Sequence, residues 1–363
     1  MRTFVFSLSF LFAAAVGCGD PQQGPNPAGS DGGQQDAALN DITSAPETDG
    51  GVLDSGPAAK DSPLHLALTI HLEGWGLSNE AQFDQYVKKI REYSDLSHKY
   101  GAYFTWEAAN LIQPSVDYGD NILLELQSER KDGVGVHADL GGNADKKGLS
   151  QAEFQAEMQE QKTAMEQLGV KVRHVSGICS SLDWVDAAAQ VGYEGVTGIV
   201  EYCLKALDEG NLPAGYEHIA TCTGPADCHD TYPSDAKQKL QPWLASTGSD
   251  WVTHDPTGKV ALLSTNGTLP CLAEIAANPG GSQTKCTWAQ DDVDQGIKLL
   301  DFAIENRDPK LMNQMIFVWS FGQAIDPVLL EQLLSKIKTD YVDKGLVVWK
   351  TMPQLIDTYR QWK

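Results

Sequence analysis

The feature that most limits the fold of this chain is an alternation of short apolar runs with amphipathic helical patterns, beginning at Leu64. The first run, LHLALTIHL over 64–72, is apolar on both alternating sets of positions, which suits a strand buried on two faces. A helical pattern follows with Phe83, Tyr86, Val87, Ile90 and Tyr93 on one face, opened by Ser78 or Asn79 and stopped at Gly101. Strands are predicted at 102–106 and 134–137 around a helix near 121–130. Helix 150–168, strand 171–175, helix 182–191 and strand 194–197 come next, with Gly169 and Gly192 closing the two helices. After an interruption the pattern resumes as helix 291–306, strand 315–319, helix 327–342, strand 346–349 and helix 353–362. Repeated βα units imply a parallel sheet with helical crossovers. About seven of them predict an α/β fold, a distorted (β/α) barrel over 63–363, with an open doubly wound sheet as the alternative.

The interruption spans about residues 200–290 and holds five of the six cysteines beyond Cys18, among many Gly, Pro and Thr. It reads as a disulfide-rich insertion with strands at 251–254 and 259–264. Cys179, Cys203, Cys222, Cys228, Cys271 and Cys286 are an even set, and local spacing favours Cys222 with Cys228 and Cys271 with Cys286. A thiolate zinc site is the alternative, although no Cys-x-x-Cys pair is present.

Disulfides imply export, and the N-terminus agrees. Met1-Arg2 precedes an apolar run over 4–16, too short to span a membrane, which closes on Ala14-Ala15-Val16-Gly17-Cys18. That ending resembles a bacterial lipobox, so residues 1–18 read as a lipoprotein signal peptide with Cys18 as the lipidated residue. Residues 19–62 are Gly, Pro, Asp, Gln and Ala with few large apolar side chains, which leaves too little burial to offset chain entropy. They read as a disordered polar tether with a reach of roughly 35–40 Å. The expected location is a bacterial membrane surface, periplasmic or external, with the lipid anchor as the sole membrane contact. A net charge of −22 argues against nucleic acid or an anionic bilayer as a partner.

In a parallel barrel, functional residues gather at the C-terminal ends of the strands. That rule selects His71 and Glu73 after the first strand, Glu107 after the second, His137 and Asp139 after the third, His174 on the fourth, and Trp319 with Ser320 late in the chain. His-x-Glu and His-x-Asp each turn two ligand types the same way, so His71, Glu73, His137 and Asp139 form a candidate site for a divalent metal.

These motifs resemble those of the polysaccharide deacetylases of the NodB-homology type. Thr69-Ile70-His71-Leu72-Glu73-Gly74 stands where that family has Thr-Phe-Asp-Asp-Gly. The resemblance puts His71 near the family's base and Glu73 near its first metal ligand. Gly135-Val136-His137-Ala138-Asp139-Leu140-Gly141 matches the first His of His-x-x-x-His but has Gly141 at the second, where Asp139 could substitute on chemical grounds. Arg173-His174-Val175-Ser176-Gly177, a helix, and Gly192-Tyr193 follow the family's Arg-Pro-Pro-Tyr-Gly region, which implies catalytic positions at Arg173 and His174. The family's final Leu-x-His has no counterpart, since the late strand reads Ile316-Phe317-Val318-Trp319.

The resemblance implies a metal-dependent hydrolase acting on cell-envelope or extracellular polysaccharide, a divergent deacetylase using zinc, with cobalt or nickel as alternatives. Trp75, Glu107 and Trp319 would contact the sugar. Two other readings stand beside it: a glycosidase using two of Glu73, Glu107 and Asp139, and a non-catalytic lipoprotein that binds glycan or protein.

Overall fold

In the computed structural model the described residues are 62–73, 77–108, 110–208, 210–277, 286–322 and 325–362. The signal segment, Cys18, all but the last residue of the tether, and Trp75 lie outside them. In chain order the elements are β1 (Leu64–Leu72), α1 (Glu80–Lys99), β2 (Thr105–Ala108), α2 (Ile112–Tyr118), α3 (Ile122–Ser128), β3 (Gly133–His137), α4 (Gly141–Lys147), α5 (Gln151–Gln167), β4 (His174–Ser176), α6 (Trp184–Val191) and β5 (Gly195–Val196). The insertion contributes β6 (Trp243–Ala245), β7 (Val260–Leu262), β8 (Gly267–Thr268) and α7 (Leu272–Ala277). The chain then forms α8 (Gln290–Glu305), β9 (Gln314–Ser320), α9 (Pro327–Ile337), β10 (Val347–Trp349) and α10 (Met352–Trp362).

The ends of these elements follow from local chemistry. Asn79 accepts from the Gln82 backbone N–H to open α1, Ser150 and Glu153 form a capping box on α5, and Gly192 ends α6 in the left-handed conformation. β2 starts later than the apolar run at 102 because Ala102 still donates back to the Ser97 carbonyl, completing the end of α1. Residues 251–254 are not a strand. The Trp251 indole donates to the Cys203 carbonyl at 3.1 Å and its own carbonyl accepts from the Trp243 indole at 2.7 Å, so side-chain packing holds that segment as a turn.

β1 is buried along its length apart from a half-buried His71, and it is the hub of the sheet. The strand order is β6-β7-β5-β4-β3-β2-β1-β9-β8, parallel throughout except where β6 meets β7. β10 pairs with the first residues of β1 and β2 with the last, so the two share one edge of that strand. The stretch from β7 to β8 hydrogen-bonds to β5 at its start and to β9 at its end. One short segment thus links the two sides of the curled sheet, which is a distorted barrel.

Three disulfides are present, Cys179–Cys203, Cys222–Cys228 and Cys271–Cys286. The two local pairs are those expected from spacing, and the set suits an oxidising compartment. No helix among the described residues is long and apolar enough to cross a membrane.

Candidate metal centre

The C-terminal halves of β1, β2 and β3 and the first residue of β4 bring His71, Glu107, His137 and His174 together. Glu107, read from the sequence as a sugar contact, is instead completely buried beneath the histidines. Thr197, just past β5, donates to its Oε1 at 2.8 Å, and the Ser176 hydroxyl donates to its Oε2. His174 Nε2 lies 3.2 Å from Oε1 and His71 Nε2 lies 3.1 Å from Oε2. Burial alone pushes the Glu107 carboxyl up, but the adjacent imidazoles of His174 and His71 outweigh it and hold the group well below the usual carboxylate range.

Gly135 is what lets His174 reach this position. A Cβ on Gly135 would lie 2.2 Å from His174 Nε2, so the ring occupies the space a side chain would take. The glycine in the VGVH run is therefore a packing requirement of the site.

The tautomer of His137 follows from its partner. Ser176 has one hydroxyl proton and gives it to the Glu107 carboxylate, so its oxygen must accept from His137 Nδ1, 2.8 Å away. His137 Nε2 is left as a lone pair, and it faces Glu73 Oε1 at 3.6 Å. Burial, and secondarily the charge of His71, hold His137 down to about 3, so the ring is neutral at neutral pH. The other Glu73 oxygen accepts from Ser320 at 2.7 Å.

His71 stacks on His137 with ring centroids 4.1 Å apart. Its buried Nε2, although 3.1 Å from Glu107, makes no well-aligned hydrogen bond. Two donor atoms at that distance with no hydrogen bond between them suit a shared cation, since ligands on a tetrahedral zinc with bonds near 2.0 Å stand about 3.3 Å apart. One ligand atom each from His71, Glu107 and His137 lies within 4.8 Å of the other two. The donor set of two imidazoles and a carboxylate therefore fits a zinc-type ion.

The centre opens into a cavity of about 190 Å³ lined by His71, Glu73, His137 and Asp139, with Gly141, Gly142, Gly177 and Gly198 also in its lining. Asp139 is a wall of this cavity and stands outside the 4.8 Å group, with a positive φ of 48°. Burial and the charge of Glu73 raise its carboxyl. The far wall comes from the insertion, through Val200, Pro225, His229 and Thr231.

Two expected site residues lie elsewhere. Arg173 precedes β4, at the opposite end of the strand from the cavity, where it pairs with Glu194 at 2.8 Å and Asp357 at 2.7 Å. Trp319 alternates to the core side of β9 and packs edge-on to Phe104 with centroids 5.4 Å apart. The sequence reading missed Ser176 and Thr197, small hydroxyls with no motif of their own, and His229, whose only signal was adjacency to Cys228.

No protein-family description matches the chain by sequence, and no curated protein matches it. Solved structures do. A 4-α-glucanotransferase from Thermococcus litoralis is 11% identical with a TM-score of 0.49, over 82% of this chain, and the chain spans 40% of that enzyme's length. A protein of Mycobacterium smegmatis assigned as a polysaccharide deacetylase is also 11% identical, with a TM-score of 0.51 over 85% of this chain and 93% of its own. At that identity the second likeness establishes the fold alone: the chain has a barrel of the kind found in that deacetylase structure.

Proposed function

We propose that the chain is a metal-dependent hydrolase that removes a small acyl group from carbohydrate at the cell envelope. The observation that supports it best is the bare Nε2 of His137 facing a Glu73 oxygen at 3.6 Å. The ring takes up a proton only at strongly acid pH, so at neutral pH this lone pair is available to a cation, and His71 and Glu107 each place a ligand atom within 4.8 Å of one on His137.

In this reading His71, Glu107 and His137 hold the ion, and Ser176, Thr197 and His174 hold Glu107 as an anion. A divalent ion at such a centre acidifies water and polarises an acyl carbonyl. Glu73, partly open to the cavity and steadied by Ser320, accepts the proton of the attacking water. At about 190 Å³ the cavity has room for an acetyl group together with a ring of the sugar that carries it. The likeness to a deacetylase structure is consistent with this chemistry, and the sequence-read anchor at Cys18 would keep the barrel beside an envelope glycan.

A two-carboxylate glycosidase fits less well. Glu107 has no face toward substrate, and imidazoles converge on both Glu107 and Glu73. The test is calorimetric titration with Zn²⁺, Co²⁺ and Ni²⁺, followed by hydrolysis of acetylated oligosaccharides by the loaded protein. We expect one site per chain of micromolar or better affinity, lost in His71→Ala and in His137→Ala. Absence of such a site in the unaltered protein would overturn the proposal.

A further inference from the structure

We propose that His229, carried to the cavity by the disulfide-stapled insertion, is a substrate-contacting residue whose imidazole N–H meets the acyl or leaving oxygen of a molecule bound against His71 and His137. The inference rests on the hydrolase reading above and adds to it a residue from the insertion.

Its position is fixed with unusual redundancy. Residues 228–232 run antiparallel to 199–202: Val200 bridges Thr231, Glu201 N–H donates to the Asp230 carbonyl at 2.8 Å, Tyr202 N–H to Cys228 at 3.0 Å, and Tyr232 N–H to Ile199 at 3.1 Å. Cys228, immediately before His229, is tied to Cys222. Cys203, on the paired segment, is tied to Cys179, which itself lines the cavity three residues past Ser176. Pro225 presses so closely on Gly142 that a Cβ there would lie 2.2 Å from it, which seats this wall against the start of α4. A long insertion is thereby held against the barrel mouth at the point where it presents an imidazole.

His229 faces the centre without belonging to it. It lines the same cavity and lies within electrostatic reach of His71 and Glu73, yet no nitrogen of it joins the 4.8 Å group. The residue as a whole is exposed although its imidazole is crowded by protein, and it is the one imidazole that the insertion's described residues bring to this cavity. His218, its neighbour on the insertion, is occupied by Glu201 at 2.7 Å. An imidazole carries one N–H when neutral and two when protonated, and the His229 nitrogen not engaged with its own backbone is the one left to meet a ligand. A donor whose backbone is already fixed needs no reorganisation when charge develops on an oxygen in front of it, the arrangement that lowers a hydrolytic barrier most.

The test compares the unaltered chain with His229→Ala, His229→Gln and the Cys222→Ser/Cys228→Ser pair. Zn²⁺ binding is read by calorimetry, hydrolysis with 4-nitrophenyl acetate as the probe ester, and contact with the probe's product by titrating acetate against the imidazole resonances. Both His229 variants should bind Zn²⁺ as the unaltered protein does while kcat falls by about 10²–10³, the loss typical of one oxyanion donor. The cysteine pair keeps the imidazole but frees its loop, and should lose a smaller part of kcat. Acetate should shift a resonance that is missing in His229→Ala, with or without metal. Unchanged kcat in both variants, an unmoved resonance, or a large fall in Zn²⁺ affinity overturns the inference, the last by making His229 a ligand. A chain that binds no metal but still shifts His229 with acetate overturns the metal reading and leaves the contact standing.

Discussion

The imidazole of His71 lies flat on that of His137, their planes 18° from parallel and their centroids 4.1 Å apart. Positive charge on both rings at once is disfavoured in such a stack, and burial already keeps His137 neutral. An ion held by both rings would be bound by the folded state alone. Zn²⁺ at about a hundred times its Kd should then stabilise the protein by about 2.7 kcal/mol. Thermal melts should rise by several degrees with Zn²⁺, return with a chelator, and show no response in the His71→Ala/His137→Ala double variant.

Ser176 sets the tautomer of His137 and supports Glu107, so its removal should be felt at the metal without a ligand being lost. Ser176→Ala is expected to weaken Zn²⁺ by about 10–100-fold, the usual effect of removing the partner of a ligating histidine. Glu107→Gln should do more, despite its similar shape. Ser176 and Thr197 each donate to a different oxygen of Glu107, and an amide must turn its NH₂ toward one of those donors. Calorimetry on the two variants checks the order; a Ser176→Ala affinity equal to that of the unaltered chain would show that Ser176 does not support the metal site.

What the sequence made legible was whatever depends on neighbours along the chain. β1 was readable because burial on both faces leaves an unbroken apolar run, and α1 and α5 because Asn79 and Ser150 signal their starts. His71 and His137 were readable because the barrel rule places strand ends at one mouth. The role of Glu107 was not, because its four partners come from β1, β4 and the turn after β5. Arg173 was misplaced for a related reason. It adjoins the right strand but at the wrong end, and only its pairing with Glu194 and Asp357 shows that.

Arg173 is accordingly predicted to act on stability and not on the centre. It donates to Glu194, to Asp357 and to the Pro353 carbonyl, joining the start of β4 to α10. Arg173→Ala should destabilise the protein by about 1–3 kcal/mol, as loss of a partly buried multidentate donor does. Zn²⁺ affinity should stay within about twofold, a change of less than 0.5 kcal/mol. A large loss of metal binding with an unchanged melt would return Arg173 to the site.

His65 supplies a pH dependence that is independent of the metal. It is buried at the start of β1, and burial, with Lys350 adding to it, lowers its pKa to about 4 from an ordinary value of 6.5. The unfolded chain therefore takes up a proton that the folded chain refuses between those values, so this contribution to stability is complete above pH 6.5 and is lost as pH falls toward 4. At about 1.4 kcal/mol per pKa unit, His65 should account for roughly 2 kcal/mol of the stability lost between pH 7 and pH 5. Urea unfolding at the two values should show a correspondingly smaller loss in His65→Leu. Equal losses in the two proteins would show that His65 is not the titrating group.

Gly135 offers the sharpest check on how the centre is packed. Every ring position closest to a new Cβ belongs to His174, at 2.2, 2.5 and 2.7 Å, and the ring is fully buried with Glu107 3.2 Å from its Nε2. It can retreat only by pressing on that carboxylate or by leaving the cluster. Gly135→Ala should cost about 1–3 kcal/mol from overpacking, and should weaken Zn²⁺ binding through the displaced Glu107. The cause can be isolated by removing the ring. In His174→Ala the space is empty, so the added methyl should be tolerated, and the double variant should be more stable than the sum of the single losses predicts. That non-additivity is the signature of direct contact between two sites. Additive losses in thermal melts of the three variants would mean that the glycine serves the strand and not the histidine.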